Sequence, residues 1–518
     1  MEHQRSIIDY LSFYAEQSGD KTAIHYEDQA ISYRELEERS AQCRGALRDL
    51  GIKDGDRVAM VMSDGPDWIT AFLGILGLGA IAVPCSTMLK APELAYMLND
   101  SGAQTAIITP DQCETIDAAR AETPTLKTVL IAGGEPQHTS TEMLSFNQAL
   151  AAAAPAPLAE ITPDTLALIL YTSGSTGAPK GAVHQHGDIP YTVERTGRAV
   201  YGITSDDRVF SSSRLFFAYG LGNSLSLPLG LGATSILCRE RPLPPVIAQV
   251  FARFRPTIFF AVPAVFRALL EYYRQGNLLD TSSLNFCVSA GESLPAQIFH
   301  EWKDATGLDI LDAIGSTELM YMFISNRRDH LRPGSSGVPV EGYDARLLDE
   351  HGQVLEGASH GNLYIKGASA IRSYWNKPEK TAETISDGWV KTGDVYRRDE
   401  EGFYWFEGRS DDLFKSSGMW VSPIEVEDVL CTHPSVLETA VVAEADQDGT
   451  NLVAAYAVLR SGVPANAETV AALKAYASAT LPRYKCPKRI YFLEQLPRTA
   501  TGKVQRFKLR APKPSASS

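Results

Sequence analysis

The sequence predicts an α/β protein, with a large N-terminal body of mixed, mainly parallel sheets with helices and a small α+β C-terminal domain. Three observations carry this. At 518 residues the chain is too long for one compact core, so it must divide. Short continuous apolar runs at Val58 to Met62, Leu166 to Tyr171, Thr257 to Val262 and Asn285 to Ser289 have the pattern of strands buried on both faces of a parallel sheet. Toward the C-terminus the pattern changes, to a helix near Glu425 to Leu430, strands near Ala440 and at Val453 to Leu459, a helix over Val470 to Leu481 and a final strand.

Taken in order, Ser32 and Glu35 form a capping box that opens a helix, with Leu36, Cys43, Leu47 and Leu50 on one face before Gly51 ends it. The uncharged run from Trp68 to Cys85 is about as long as a membrane span, but Gly74, Gly77, Gly79 and Pro84 interrupt it. It reads as a buried helix, a glycine turn and a strand. Residues 150–157, LAAAAPAP, read as a surface linker separating an N-terminal lobe from the remainder of the chain.

Composition narrows the function. Hydrophobic residues make up 44% and charged residues 21%, ordinary values for a folded globular protein. Against 62 Asp and Glu, 48 Lys and Arg leave a net charge of −14, which repels nucleic acid and anionic membranes. The seven cysteines are scattered without a CxxC pair, so neither disulfides nor zinc are expected and a cytoplasmic location is. The first residues lack a signal-peptide core and the last four, SASS, are no peroxisomal address. His184 and His186 alternate along a strand with no third ligand nearby, and no metal is assigned to them.

The segment Tyr171 to Gly181, YTSGSTGAPKG, comes directly after a buried strand and is suited to phosphate. Its glycines let backbone N–H groups approach anionic oxygens. Thr172, Ser173, Ser175 and Thr176 add hydroxyl donors, and Lys180 adds positive charge. A Walker A pattern cannot be fitted to it. The loop resembles the signature of the adenylate-forming superfamily, which includes acyl-CoA synthetases, and further similar motifs occur in the family's order. Ser289 to Pro295 (SAGESLP) is similar to the adenine-binding segment, Asp312 to Glu318 (DAIGSTE) to the substrate and magnesium segment, and Trp389 to Asp394 (WVKTGD) to the ribose segment. Gly408 to Pro423 (GRSDDLFKSSGMWVSP) and Pro497 to Lys503 (PRTATGK) complete the set.

The resemblance implies an ATP-dependent enzyme that activates a carboxylic acid as its acyl-adenylate and passes the acyl group to coenzyme A. Gly291, Glu292, Ser293 and Asp312 would bind the nucleotide, Asp394 and Arg409 the ribose, and Ser316 and Thr317 the α-phosphate. Glu318 would hold Mg²⁺, and Lys503 would be the catalytic cation of the adenylation step. Asp411 matches the hinge, dividing residues 1–410 from a mobile domain of residues 411–518. Rotation there would bring Lys415, Ser417, Gly418, Met419 and Trp420 to the site as the coenzyme A face.

Ser211 to Pro228, together with GSTELMYMFISN, resembles the benzoate-CoA ligase branch. Phe217, Ala218, Tyr219, Gly220, Ala290, Gly315 and Tyr321 would then line an aryl acid pocket. Tyr321 stands where benzoate ligases usually carry histidine. A phenol there suits an ortho substituent, so 2-aminobenzoate (anthranilate) is expected first, and benzoate or a hydroxybenzoate otherwise. Two other readings share the motifs: an enzyme loading a separate carrier protein, and a nucleotide-binding regulatory protein without catalysis. The quaternary state stays open, a homodimer included.

Overall fold

The computed structural model describes residues 5–134, 143–172, 178–416, 419–446, 451–498 and 504–510. Two large sheets form the body. One runs, from edge to edge, through Leu144–Ser145, Thr128–Ile131, Thr105–Ile108, Arg57–Val61, Ile81–Pro84, Leu166–Thr172 and Lys180–Gln185. It is parallel throughout except for its last pair. The other has a parallel centre of Thr234–Leu237, Arg208–Ser211, Ile258–Ala261, Phe286–Ser289 and Ile310–Gly315, with antiparallel strands at both edges. A third, antiparallel sheet over Asp344–Arg409 carries Trp389–Arg398 paired with Tyr404–Arg409.

The expected strands appear within a residue or two of their sequence limits, and their central residues are wholly buried. That burial is why they read as continuous apolar runs rather than as alternating ones. The capping box at Ser32 forms, with Ser32 Oγ accepting from Glu35 N–H and the Glu35 carboxylate accepting from Ser32 N–H, and it opens the helix Tyr33–Asp49. The uncharged run folds as the buried helix Pro66–Gly77, a turn and the strand Ile81–Pro84. Among the described residues no helix is long and apolar enough to cross a membrane.

Residues 150–157 lie mostly at the surface, as expected, but depart from expectation as a linker. Leu150 to Ala152 end the helix Phe146–Ala152, and the next residues lie against Tyr33–Asp49, where Ala156 N–H donates to Ala41 O at 3.0 Å and Arg44 Nε donates to Ala156 O at 3.0 Å. A Cβ on Gly45 would lie 2.0 Å from Ala154 O. Small side chains permit this close seating, and the same composition also suits a linker. The segment separates no lobes, because Leu166–Thr172 beyond it pairs with Ile81–Pro84 before it.

The C-terminal part has its own sheet of Val436–Ala445, Asn451–Leu459 and Arg489–Phe492, with the helices Pro423–Cys431 and Ala467–Thr480. Its core includes Val426, Val441, Val453 and Leu473. Among the described residues no sheet crosses from the body into it. Ion pairs do cross: Arg267 with Glu438 at 3.3 Å, and Arg498 with Glu292 at 3.5 Å, while Arg498 also pairs with Glu438.

His186 is wholly buried, and neither ring nitrogen has a hydrogen-bond partner among the described residues. Burial alone pushes its pKa down from 6.5 to about 4. The unfolded chain therefore binds more protons between those values, and the stability due to the neutral ring is complete above pH 6.5 and lost as pH falls toward 4. Thermal unfolding of His186→Leu, compared with wild type at pH 7.5 and 5, should show a smaller acid-induced drop in midpoint; equal drops would contradict this.

Candidate active site

Several of the expected residues, Thr172, Gly291 and Ser316 among them, lie at or just beyond the ends of parallel strands, the place an open α/β sheet offers a ligand. Leu166–Thr172 and Lys180–Gln185 form an antiparallel pair in which Thr172 faces Lys180 across the base of the glycine-rich loop. Ser173, Ser175 and Thr176 lie outside the described residues. The Lys180 ammonium stands 4.4 Å from the centre of the Tyr374 ring.

In the other sheet, Ile310–Gly315 ends in a short turn, Thr317–Leu319, entered through Ser316. His184 Nε2 donates to the Thr317 carbonyl at 2.7 Å, and His184 Nδ1 meets the Asp188 carboxylate at 2.8 Å. Met320, next in the chain, adopts φ 67°, an unusual backbone for a residue with a side chain. It is held there because its own side chain is buried, Ser369 Oγ donates to Leu319 O at 2.8 Å and Ile371 N–H donates to Glu318 O at 2.9 Å. Glu318 Oε1 accepts the Tyr374 hydroxyl at 2.7 Å. The Ser316 hydroxyl is buried without a partner among the described residues.

Asp394 and Arg409 face one another across the pair Trp389–Arg398 and Tyr404–Arg409, joined at 2.8 Å. Gly393 has φ 76°, a backbone that favours glycine, and a Cβ there would come within 2.9 Å of the guanidinium of Arg409. Burial works against the charge of Arg409, but the Asp394, Glu318 and Asp411 carboxylates outweigh it and raise the pKa. Those charges are thus close enough to act on one another.

Gly291, at φ 92°, Glu292 and Ser293 come after the strand Phe286–Ser289, and Glu292 pairs with Arg498 of the C-terminal part. The Asp312 carboxyl lies beneath this segment, 3% exposed, accepting from Leu294 N–H at 3.4 Å. Burial pushes its pKa well above the usual carboxylate range. Asp312 therefore turns its side chain to the backbone at Leu294.

The expected acyl residues also converge. Phe217 leads into the helix Ala218–Leu221, and the Tyr219 hydroxyl donates to Ala261 O at 3.2 Å and Val288 O at 3.3 Å, at strand ends beside Ala290. Gly220 is required by contact, since a Cβ would lie 1.9 Å from Arg214 O. A Cβ on Gly315 would lie 2.5 Å from Tyr321 O. Tyr321 is 3% exposed, and its hydroxyl donates to Asn223 Oδ1, while Asn223 Nδ2 donates to Ser211 Oγ at 3.1 Å. Burial, followed by the nearby Tyr201 and Tyr219 phenols, keeps Tyr321 un-ionised.

On the C-terminal side, Phe414–Ser416 and Met419–Val421 form a hairpin in which Lys415 faces Trp420, its ammonium 4.9 Å from the ring centre. Met419 and Trp420 are 48% and 51% exposed. Ser417, Gly418 and Lys503 lie outside the described residues, although Arg498 and Val504, flanking the last, pair as an antiparallel bridge. Asp411 lies just beyond Arg409 with its carbonyl accepting from Arg510.

Sequence reasoning missed Tyr374, His184 and Asn223 as members of the site. Tyr374 sits in an ordinary SYWN stretch and carries no charge, and its partner Glu318, like the Thr317 partner of His184 and the Tyr321 partner of Asn223, is distant in sequence; only Asp188, four residues beyond His184, was a local signal.

A model of the AMP-binding enzyme family matches residues 11–375, and one of its C-terminal domain matches residues 425–503. The chain is 41% identical over 498 residues to a benzoate–CoA ligase of Thauera aromatica, covering 95% of this chain and 93% of that one. The crystal structure of the anthranilate CoA ligase AuaEII in complex with anthranoyl-AMP matches with a TM-score of 0.93 at 38% identity, over 98% of this chain and 96% of that one. A benzoate CoA ligase from Burkholderia xenovorans LB400 gives 0.89 at 37%, over 98% and 100%. With its motifs in order and both parts of the chain matched, this protein belongs to the AMP-binding enzyme family, the adenylate-forming superfamily, as an AMP-forming aryl-CoA ligase.

Proposed function

We propose that this ligase acts first on 2-aminobenzoate, ahead of benzoate and the hydroxybenzoates. The observation that carries this is the direction of the Tyr321 hydrogen bond. Its proton is committed to Asn223 Oδ1, so the phenol oxygen offers lone pairs to a substrate. A ring amine or hydroxyl can donate to such an acceptor, whereas benzoate has no group to offer it. Leaving a buried acceptor unmet is costly, which makes the position selective rather than merely tolerant.

In the first half-reaction the acid's carboxylate oxygen attacks the α-phosphorus of ATP, and the bond to the bridging oxygen breaks, releasing pyrophosphate. In the second, the thiol of coenzyme A attacks the acyl carbon and AMP departs with the bonding pair. Thr172, Lys180, Ser316 and Thr317 would bind phosphate oxygens, and the Asp394 carboxylate would take the ribose hydroxyls with Arg409 holding it in orientation. Lys503 would stabilise charge on the α-phosphate, and Asp411 would be the pivot between residues 1–410 and 411–518.

Glu318 would hold Mg²⁺. Among the described residues no group of three or more His, Cys, Asp or Glu side chains could hold a metal. A lone carboxylate suits an ion that arrives on ATP and keeps phosphate and water oxygens as its other ligands. Bound there, the ion would neutralise charge on the departing pyrophosphate.

AMP formation dependent on acid and coenzyme A, measured across 2-aminobenzoate, benzoate, 2- and 4-hydroxybenzoate and a fatty acid, tests the reading directly. Highest kcat/KM on 2-aminobenzoate is expected, and a higher value for benzoate than for every amino- and hydroxybenzoate would end it. Tyr321→Phe should lower the preference for 2-aminobenzoate over benzoate by about tenfold, since only the former loses a partner. Asp394→Ala should raise KM for ATP about tenfold or more while leaving KM for the acid unchanged. Lys503→Ala should slow adenylation on the order of a hundredfold or more, yet keep thioester formation from supplied acyl-AMP.

A further inference from the structure

Tyr374 touches an acid and a base that come from different sheets. Its hydroxyl donates to Glu318 Oε1 at 2.7 Å, and its ring carries the Lys180 ammonium 4.4 Å from its centre. Lys180 opens an edge strand of one sheet, and Glu318 lies in the turn that ends a strand of the other.

The backbone around Tyr374 is pinned to both. Val183 N–H donates to Ser373 O at 3.2 Å and Trp375 N–H to Gly181 O at 2.7 Å, so the segment adds to the strand that begins at Lys180. Ile371 N–H donates to Glu318 O at 2.9 Å. Behind it, Trp375 Nε1 and Asn376 Nδ2 each donate to Asp100 O at 3.0 Å, and Tyr374 N–H donates to Thr381 Oγ1 at 2.9 Å. The side chain is 3% exposed.

A lysine and a glutamate at one mouth attract each other, and a direct pair would neutralise both before any phosphate arrived. An aromatic ring with a hydroxyl at its far end prevents that. Its face holds the cation and its hydroxyl holds the carboxylate, leaving Glu318 Oε2 and the Lys180 N–H groups without a hydrogen bond among the described residues. We propose that Tyr374 is a positioning residue that keeps Lys180 and Glu318 apart and oriented for the phosphates and magnesium of ATP. This rests on the phosphate-side reading of those two residues given above.

The test uses the full-length enzyme with Tyr374→Phe, which keeps the ring and removes the hydroxyl, and Tyr374→Leu, which removes both. ATP binding is titrated by calorimetry with Mg²⁺ and again in EDTA, and KM for the aryl acid is measured beside it. The Phe variant should bind ATP about tenfold more weakly with Mg²⁺ but unchanged in EDTA, with KM for the acid preserved. The Leu variant should also weaken binding in EDTA, because Lys180 loses its platform. A Phe variant equal to wild type with Mg²⁺, or one that loses ATP and acid affinity alike, would overturn the proposal; should the Leu variant not fold, the Phe variant alone decides. A wild type that binds ATP with Mg²⁺ but makes no acyl-CoA would count against the proposed function, and the calorimetric comparison would still read the role of Tyr374.

Discussion

His184 is wholly buried between the Asp188 carboxylate and the carbonyl of Thr317, and it ties the edge strand of one sheet to the turn that ends a strand of the other. The rest of the site depends on that tie. Lys180 belongs to the first sheet and Glu318 to the turn that ends a strand of the second, so the two meet about Tyr374 only while the sheets keep their spacing. A buried polar contact with both ring nitrogens engaged resists sliding in a way apolar packing does not, because any slip leaves a polar atom unmet. The positive φ of Met320, which costs on the order of 1–3 kcal/mol, is tolerated because the same turn is held from both ends.

The acyl side obeys a steric constraint. Tyr321 occupies its place because Gly222 leaves room for it, since a Cβ on Gly222 would come within 2.3 Å of the Tyr321 ring. Gly220, against Arg214 O, brings the same segment close to the strand ends. The surroundings of Tyr321 are therefore assembled from close approaches that glycine permits, with Asn223 supplying the polar partner of its phenol.

The junction between the body and the C-terminal part is of another kind. Arg267, Glu438, Arg498 and Glu292 form a chain of partly exposed ion pairs, each worth about 0–1 kcal/mol, and among the described residues no sheet crosses. Such a contact holds an orientation without fixing it. It contrasts with the bidentate, largely buried pairing of Arg506 to Glu427 inside the C-terminal part, which belongs to that unit's own core.

By itself the sequence determined the strands, the principal helices, the small C-terminal unit and the order of the motifs. Buried strands announce themselves as apolar runs, and each motif is a contiguous stretch of chain. It placed residues 150–157 at the surface, where most of them lie, but misread them as separating two lobes, because small residues suit a free linker and one seated on a helix alike. Only the tertiary structure decided the partners. Tyr374 meets Glu318 across 56 residues, Tyr321 meets Asn223 across 98 and His184 meets Thr317 across 133. Each of these contacts is set by how strands from different parts of the chain come to lie side by side, a relation that no local pattern of residues records.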